Sequence, residues 1–226
     1  MFWQGSLFGT GAPDVDAQFT TWRRTDLDEC SWVDVARGWL SGADDVFEAL
    51  TATLPWRQRT VTMYDRRVPE PRLTAWWTEL SSSGAPLPVL ARARAVLSRR
   101  YDCHFDSIGY NWYRCGDDSV AWHGDRFAKE VVDPTVAIVS VGAARPLRLR
   151  PRIGGRSLSF DVGYGDLLVM GGACQHEWQH CIPKLSRPVG PRISVTFRSD
   201  AANYRPGARD TRQARNQRGA SVSPRQ

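Results

Sequence analysis

Eight short β-rich runs follow one another from about residue 107: SIGYNWYRC, SVAWHGD, TVAIVSVG, PLRLRP, SLSFDVG, DLLVMGG, EWQHCIP and RISVTFRS. Gly, Pro and Asp separate them, as turn chemistry requires between strands. Strands this short and this regularly spaced cannot each bury a face alone. They predict a closed sandwich or barrel, with a jelly roll as one candidate. Upstream, SGADDVFEALTATLPW reads as a helix from about 42 to 54, with Val46, Phe47, Leu50 and Leu54 as its apolar stripe and Pro55 as its stop. PLPVLARARAVLSRRY reads as a second helix that turns Leu90, Ala93, Val96 and Leu97 inward. The fold class expected is therefore mainly β with flanking helices. Residues 1–106 form a helical region packed on the core, 107–200 the jelly-roll core, and 201–226 a disordered arginine-rich tail.

Several of these strands carry polar residues on a single face. In RISVTFR, Arg192, Ser194, Thr196 and Arg198 alternate with Ile193, Val195 and Phe197, so the four polar side chains point one way. Two arginines directed into a core require anionic partners, because an unpaired buried charge is costly. Asn111 and Tyr113 share a face in YNWYR by the same rule. In SVAWHGDRFA, His123 and Asp125 project together, and such a pair either chelates a metal or simply hydrogen-bonds. A third ligand has two candidates, His176 and His180 in CQHEWQHCIP. Two histidines and one carboxylate make the facial triad of non-haem iron(II) oxygenases, which leaves three coordination positions open. The competing arrangement is a zinc site of Cys174, His176, His180 and Cys181. There Cys181 would face away from the others in a strand, and the spacing matches no familiar zinc module. A pocket lined by His, Asp, Arg, Asn, Tyr and Thr suits iron plus a small dicarboxylate.

The ordered set NWYR, DSVAWHGD, WQHCIPK and PRISVTFR resembles the AlkB family of iron(II)- and 2-oxoglutarate-dependent dioxygenases, and the similarity runs over about 60% of the chain, from VPEPRLTAWW to TFRS. The resemblance implies a double-stranded β-helix (jelly roll) and an iron site of His123, Asp125 and His180. The family's distal histidine precedes a short apolar-proline step, which selects His180 over His176. It implies that Arg192 pairs with the distal carboxylate of 2-oxoglutarate, where a planar fork fits better than a lysine. Asn111, Tyr113, Arg198 and Thr196 would complete the co-substrate site, with Ser194 where the family often has asparagine. The implied cofactors are Fe(II), 2-oxoglutarate and O2. The implied activity is oxidative demethylation of bases such as 1-methyladenine and 3-methylcytosine in DNA or RNA, in a repair role. The alternative is the same iron chemistry on a small molecule or a protein.

Base flipping into an aromatic pocket would deliver a target held in a duplex. The resemblance makes residues 1–106 a nucleotide-recognition region as well as a helical one, and within it Trp76 and Trp77 are the candidates for stacking, with Trp77 the first choice to face the base. Several relatives follow H-x-D with further acidic residues that help recognise the base. Here Arg126 and Phe127 stand there instead, and Arg126 is taken as substrate-binding. Arg148, Arg150 and Arg152 alternate along one run and form a stripe able to meet phosphates, or a charged edge strand.

Composition narrows the partners. The formal charge is +6, and residues 201–226 hold six arginines against one aspartate. No run of about 18 apolar residues exists, so no membrane span is expected. MFWQGSLFGTG does not read as a secretion signal. Five scattered cysteines with no CxxC pair suit a reduced, cytoplasmic protein, expected to be monomeric and to act on nucleic acid.

Overall fold

The computed structural model describes residues 12–63, 66–79, 86–125, 127 and 132–199. The arginine-rich tail and Arg126 lie outside these residues. In chain order the elements are β1 (Asp14–Val15), β2 (Trp22–Asp26), β3 (Ser31–Ala36), β4 (Leu40–Ser41) and α1 (Ala43–Thr53). There follow β5 (Thr60–Met63), β6 (Arg66–Pro69), β7 (Leu73–Thr78) and α2 (Pro88–Tyr101). The β-rich half supplies β8 (Ser107–Tyr113), β9 (Val120–His123), β10 (Val136–Gly142), β11 (Arg145–Pro151) and β12 (Leu158–Val162). It ends with β13 (Asp166–Gly172), α3 (Cys174–Glu177), β14 (Trp178–Ile182) and β15 (Arg192–Arg198).

The strands of the β-rich half divide between two antiparallel sheets. A seven-stranded sheet runs β2-β3-β13-β10-β15-β8-β7, and a four-stranded sheet runs β12-β11-β14-β9. From β8 to β15 successive strands alternate between the sheets, except for β11 and β12, which pair with each other in the smaller one, and this is the jelly-roll path. β10 sits at the middle of the larger sheet with both faces covered, and all seven of its residues are buried. Its sequence, VAIVSVG, is accordingly a near-continuous apolar run rather than an alternating one.

Period-2 alternation sorts the side chains of the larger sheet into two cores. Ile193, Val195 and Phe197 of β15, Ala137, Val139 and Val141 of β10, and Ile108 and Tyr110 of β8 face outward. There they pack against the apolar stripes of α1 (Val46, Phe47, Leu50) and α2 (Leu90, Ala93, Val96, Leu97). The opposite faces meet the smaller sheet through Ile138, Leu168, Met170, Leu147, Leu149, Val162 and Ile182. α1 begins after Gly42, whose φ of 62° lies in the left-handed region that glycine tolerates, and carries Asp44 and Asp45 in its first turn. α2 opens with Pro88 at its first turn and closes on Asp102.

The first hundred residues are not a helical layer alone. β2 and β3 extend one edge of the larger sheet, with β3 pairing β13, and β7 forms the other edge by pairing β8. No boundary therefore falls at residue 106: Thr78 lies opposite Ser107 within one ladder. These strands escape period-based reading because β2 is mostly exposed and β3 carries an ion pair, Arg24 Nε to Asp34 Oδ1 at 2.7 Å. No helix among the described residues is long and apolar enough to cross a membrane.

Candidate metal and co-substrate site

The polar face of the sandwich interior converges at one end. β9 and β14 pair with His123 opposite His180, so the two imidazoles stand side by side, ring centroids 4.3 Å apart. The chain turns after β9 and brings Asp125 between them. Asp125 Oδ1 lies 3.8 Å from His123 Nε2, and its Oδ2 lies 4.0 Å from His180 Nε2. All three ligating atoms fall within 4.8 Å of one another, the one such group of three or more His, Cys, Asp or Glu among the described residues.

The surroundings of each ligand suit a cation. His123 Nδ1 lies 2.8 Å from the Ala121 carbonyl, which can accept only if Nδ1 carries the proton, and the Nε2 lone pair is thereby left for a metal. His180 is buried, and burial pushes its imidazole down to about 4, so it is neutral at physiological pH. Asp125 Oδ1 accepts from Arg198 Nη2 at 2.8 Å, whereas its buried Oδ2 has no hydrogen-bond partner. An orphaned buried carboxylate oxygen between two imidazoles is a site that a divalent ion completes. Gln175 of α3 braces the turn, its Oε1 accepting from the Asp125 backbone N–H at 3.2 Å.

His176 is turned elsewhere, its Nε2 lying 2.9 Å from the Val132 carbonyl. Cys181 alternates to the opposite face of β14 from His180, beside Arg148 and Arg150. The zinc arrangement is thus not assembled.

Deeper in the pocket, Arg192 is fully buried yet under-satisfied. Its Nη2 donates to Ser140 Oγ at 2.7 Å, while Nε and Nη1 have no hydrogen-bond partner. Burial pulls its guanidinium down to about 10, still cationic at neutral pH, so this cradle suits an anion. Asn111, Tyr113, Ser194, Thr196 and Arg198 line the same pocket. The β8–β15 register sets Ser194 opposite Asn111 and Arg192 opposite Tyr113. A larger cleft of about 770 Å³ lies outside, lined by Leu27, Asp28, Ile153 and Trp178, and contains none of these groups.

The two tryptophans separate as neighbours in a strand must, but in the reverse order from the sequence expectation. Trp77 packs on the outer core, with the Arg94 guanidinium 5.4 Å from its ring centre. Trp76 is 47% exposed on the inner face, where the Arg198 guanidinium lies 5.5 Å from its ring. Gly109, its partner across the ladder, makes room for it: a Cβ there would stand 2.5 Å from Cζ3 of the indole. The arginine stripe divides as well. Arg150 donates to Gln179 Oε1 and lies 4.3 Å over Trp122 on the outer face of the smaller sheet, beside exposed Arg148. Arg152 turns the other way, its Nη2 3.3 Å from the Gln175 carbonyl and hard against Gly124 of the H-x-D turn.

Three site residues were not foreseen. Arg72, just before β7, donates from Nε to Asn111 Oδ1 at 2.9 Å and lines the pocket. Arg145 is fully buried and holds the carbonyls of Cys115, Asp118 and Pro183, clamping the loop that leads into β9. Gly109 seats Trp76. Each acts through tertiary contacts that no local pattern announces.

Comparison with known proteins agrees with this geometry. The family model of the 2OG-Fe(II) oxygenase superfamily matches residues 35–198. The chain belongs to that superfamily and, within it, to the AlkB family. Alpha-ketoglutarate-dependent dioxygenase alkB homolog 3 of Bos taurus is 35% identical over 178 residues, covering 71% of this chain and 62% of the relative. DNA oxidative demethylase ALKBH2 of Arabidopsis thaliana is 27% identical over 192 residues, covering 67% of this chain and 60% of the relative. The chain thus spans about three fifths of the length of these curated relatives. The solved structure of OsALKBH1 superposes with a TM-score of 0.54 at 12% identity, covering 78% of this chain and 100% of that one, a likeness of fold. Family membership brings Fe(II), 2-oxoglutarate and O2 as cofactors, and the donor set described above fits them.

Proposed function

We propose that the chain is an oxidative demethylase of alkylated bases, of the 1-methyladenine and 3-methylcytosine type, in nucleic acid. His123, Asp125 and His180 hold the iron, and Arg192 takes the distal carboxylate of 2-oxoglutarate. Asn111, Tyr113, Ser194, Thr196 and Arg198 complete its pocket. The bound group supplies the oxidation: O2 and 2-oxoglutarate are consumed, succinate and carbon dioxide leave, and an N-methyl group becomes N-hydroxymethyl, which releases formaldehyde. The protein's part is geometric. Arg198 keeps Asp125 oriented by its 2.8 Å hydrogen bond, and the His123 tautomer is fixed by the Ala121 carbonyl.

The observation that carries the substrate class is Trp76. A half-exposed indole beside Arg198, the partner of Asp125, and packed against a glycine that leaves it room, is a stacking surface for a planar base. The names of the relatives, alkB homolog 3 and DNA oxidative demethylase ALKBH2, support the same reading. The five scattered cysteines, with no CxxC pair, fit a reducing, cytoplasmic setting, and the chain is taken to act as a monomer. The test compares substrates at equal concentration of the methylated group. Succinate formation should rise at least about 10-fold more with a methylated oligonucleotide than with the free methylated nucleoside, as polymer contacts add affinity. Equal stimulation by both, or stimulation by neither, would instead direct the same chemistry to a small molecule or a protein.

A further inference from the structure

We propose that Arg72 is a positioning residue for 2-oxoglutarate, acting through Asn111 rather than by touching the co-substrate. The inference rests on the assignment of Asn111 to the co-substrate pocket made above.

A guanidinium has five donors and no acceptor, so it can meet an amide only at the oxygen. The 2.9 Å contact from Arg72 Nε to Asn111 Oδ1 therefore fixes which way the amide is turned. The carbonyl end faces Arg72, and the NH2 end is the donor left for an acceptor in the pocket. Without Arg72 the two ends are nearly equivalent in shape, and the amide can flip to present an oxygen to a dianion. That orientation is repulsive.

Arg72 is itself held by further contacts, an ion pair and a long hydrogen bond, as an orienting group must be. Its Nη2 lies 3.3 Å from Glu70 Oε2, and the two side chains are 14% and 15% exposed. Its Nη1 points to the Ser119 carbonyl at 3.5 Å, and the Ser119 N–H returns a hydrogen bond of 2.7 Å to the neighbouring Pro71 carbonyl. Glu70 also balances the charge, so Arg72 is a poor carboxylate anchor beside Arg192, whose Nε and Nη1 have no hydrogen-bond partner. The staple joins the start of β7, the strand that carries Trp76, to β8 and to the approach to β9.

The experiment measures 2-oxoglutarate binding to the full chain loaded with manganese(II), which occupies the site without turnover, alongside the unfolding midpoint of each variant. Arg72→Met, which keeps the volume and removes the donors, should weaken binding about 10-fold, the scale of one charge-assisted hydrogen bond. Arg72→Gln restores a neutral donor to Asn111 and should return the affinity to within about 3-fold of wild type. In an Asn111→Ala background, Arg72→Met should cost nothing further, because the pair acts as one unit. The proposal is overturned if Arg72→Met binds as wild type does with an unchanged midpoint, or if its loss persists undiminished beside Asn111→Ala. The latter would make Arg72 a direct anchor. If Asn111→Ala alone leaves binding intact, it is the assignment of Asn111 that fails, a result separable from failure of Arg72 alone.

Discussion

The two oxygens of Asp125 have different surroundings. Oδ1 is occupied by Arg198 at 2.8 Å, and Oδ2, buried and unpaired, faces the histidines. The division of labour lets one oxygen be fixed by the guanidinium while the other stays free to meet a cation. Asp125→Asn replaces a charged donor atom by a neutral amide and is expected to lower manganese(II) affinity by at least about 100-fold. Arg198→Gln leaves the ligand but frees its rotation, and about a 10-fold loss is expected. Titration followed by electron paramagnetic resonance measures both, and equal affinity across the three proteins would remove Asp125 from the metal site. At this scale much was legible. Arg192, Ser194, Thr196 and Arg198 could be set on one face from alternation alone, because a strand buried on both sides must put its polar residues where something polar awaits them. Arg72 was not legible, since its contact with Asn111 spans 39 residues and no local pattern encodes it.

At the scale of elements, the pairing of β7 with β8 matters most for substrate. Gly109 lies opposite Trp76, and a methyl group there would have to displace the indole. Because the displaced group is a half-exposed side chain, Gly109→Ala should leave the fold intact. It should weaken binding of a methylated oligonucleotide about 10-fold, within the range of one lost base stack, without changing 2-oxoglutarate affinity. Fluorescence anisotropy with a labelled oligonucleotide measures it, and unchanged affinity would exclude Trp76 as the stacking surface. The sequence pattern could not say which of Trp76 and Trp77 lies on the inner face, because alternation says that they part company but not which face of an edge strand is inner.

The loop before β9 has its own dependence on pH. Burial pushes the Asp118 carboxyl up, but hydrogen bonds from the Arg114 guanidinium and backbone N–H outweigh it and hold the group below its ordinary value. A carboxylate lowered in the folded state contributes stability above its unfolded value, near 3.9, and loses it as pH falls through the folded one. Asp118→Asn should therefore cost about 1–2 kcal/mol at pH 7 by urea unfolding, and the difference from wild type should vanish in acid. A difference that persists at low pH would place the effect in packing rather than charge.

For the molecule as a whole, the jelly-roll half could be read from its eight short runs, and the larger sheet could not be read in full. β2, β3 and β7 come from the first eighty residues and enter that sheet as its edges, and only the long-range register with β13 and β8 makes them strands. The site benefits from this economy of construction. The proposed iron ligands come from β9, its following turn and β14, the proposed co-substrate residues from β8 and β15, and the tryptophan proposed to stack from β7 at the sheet edge. On the proposed reading, one sandwich holds three functions at one mouth, with the edge strand turned to a large substrate.

The central claim is that these three functions act together on an alkylated base. It is tested most directly by formaldehyde release from an oligonucleotide bearing 1-methyladenine or 3-methylcytosine, with iron(II), ascorbate, 2-oxoglutarate and O2, beside an Asp125→Ala control. Release should require every component and disappear in the control. Release that survives Asp125→Ala, or its absence from metal-loaded wild type that still turns 2-oxoglutarate into succinate, would contradict it.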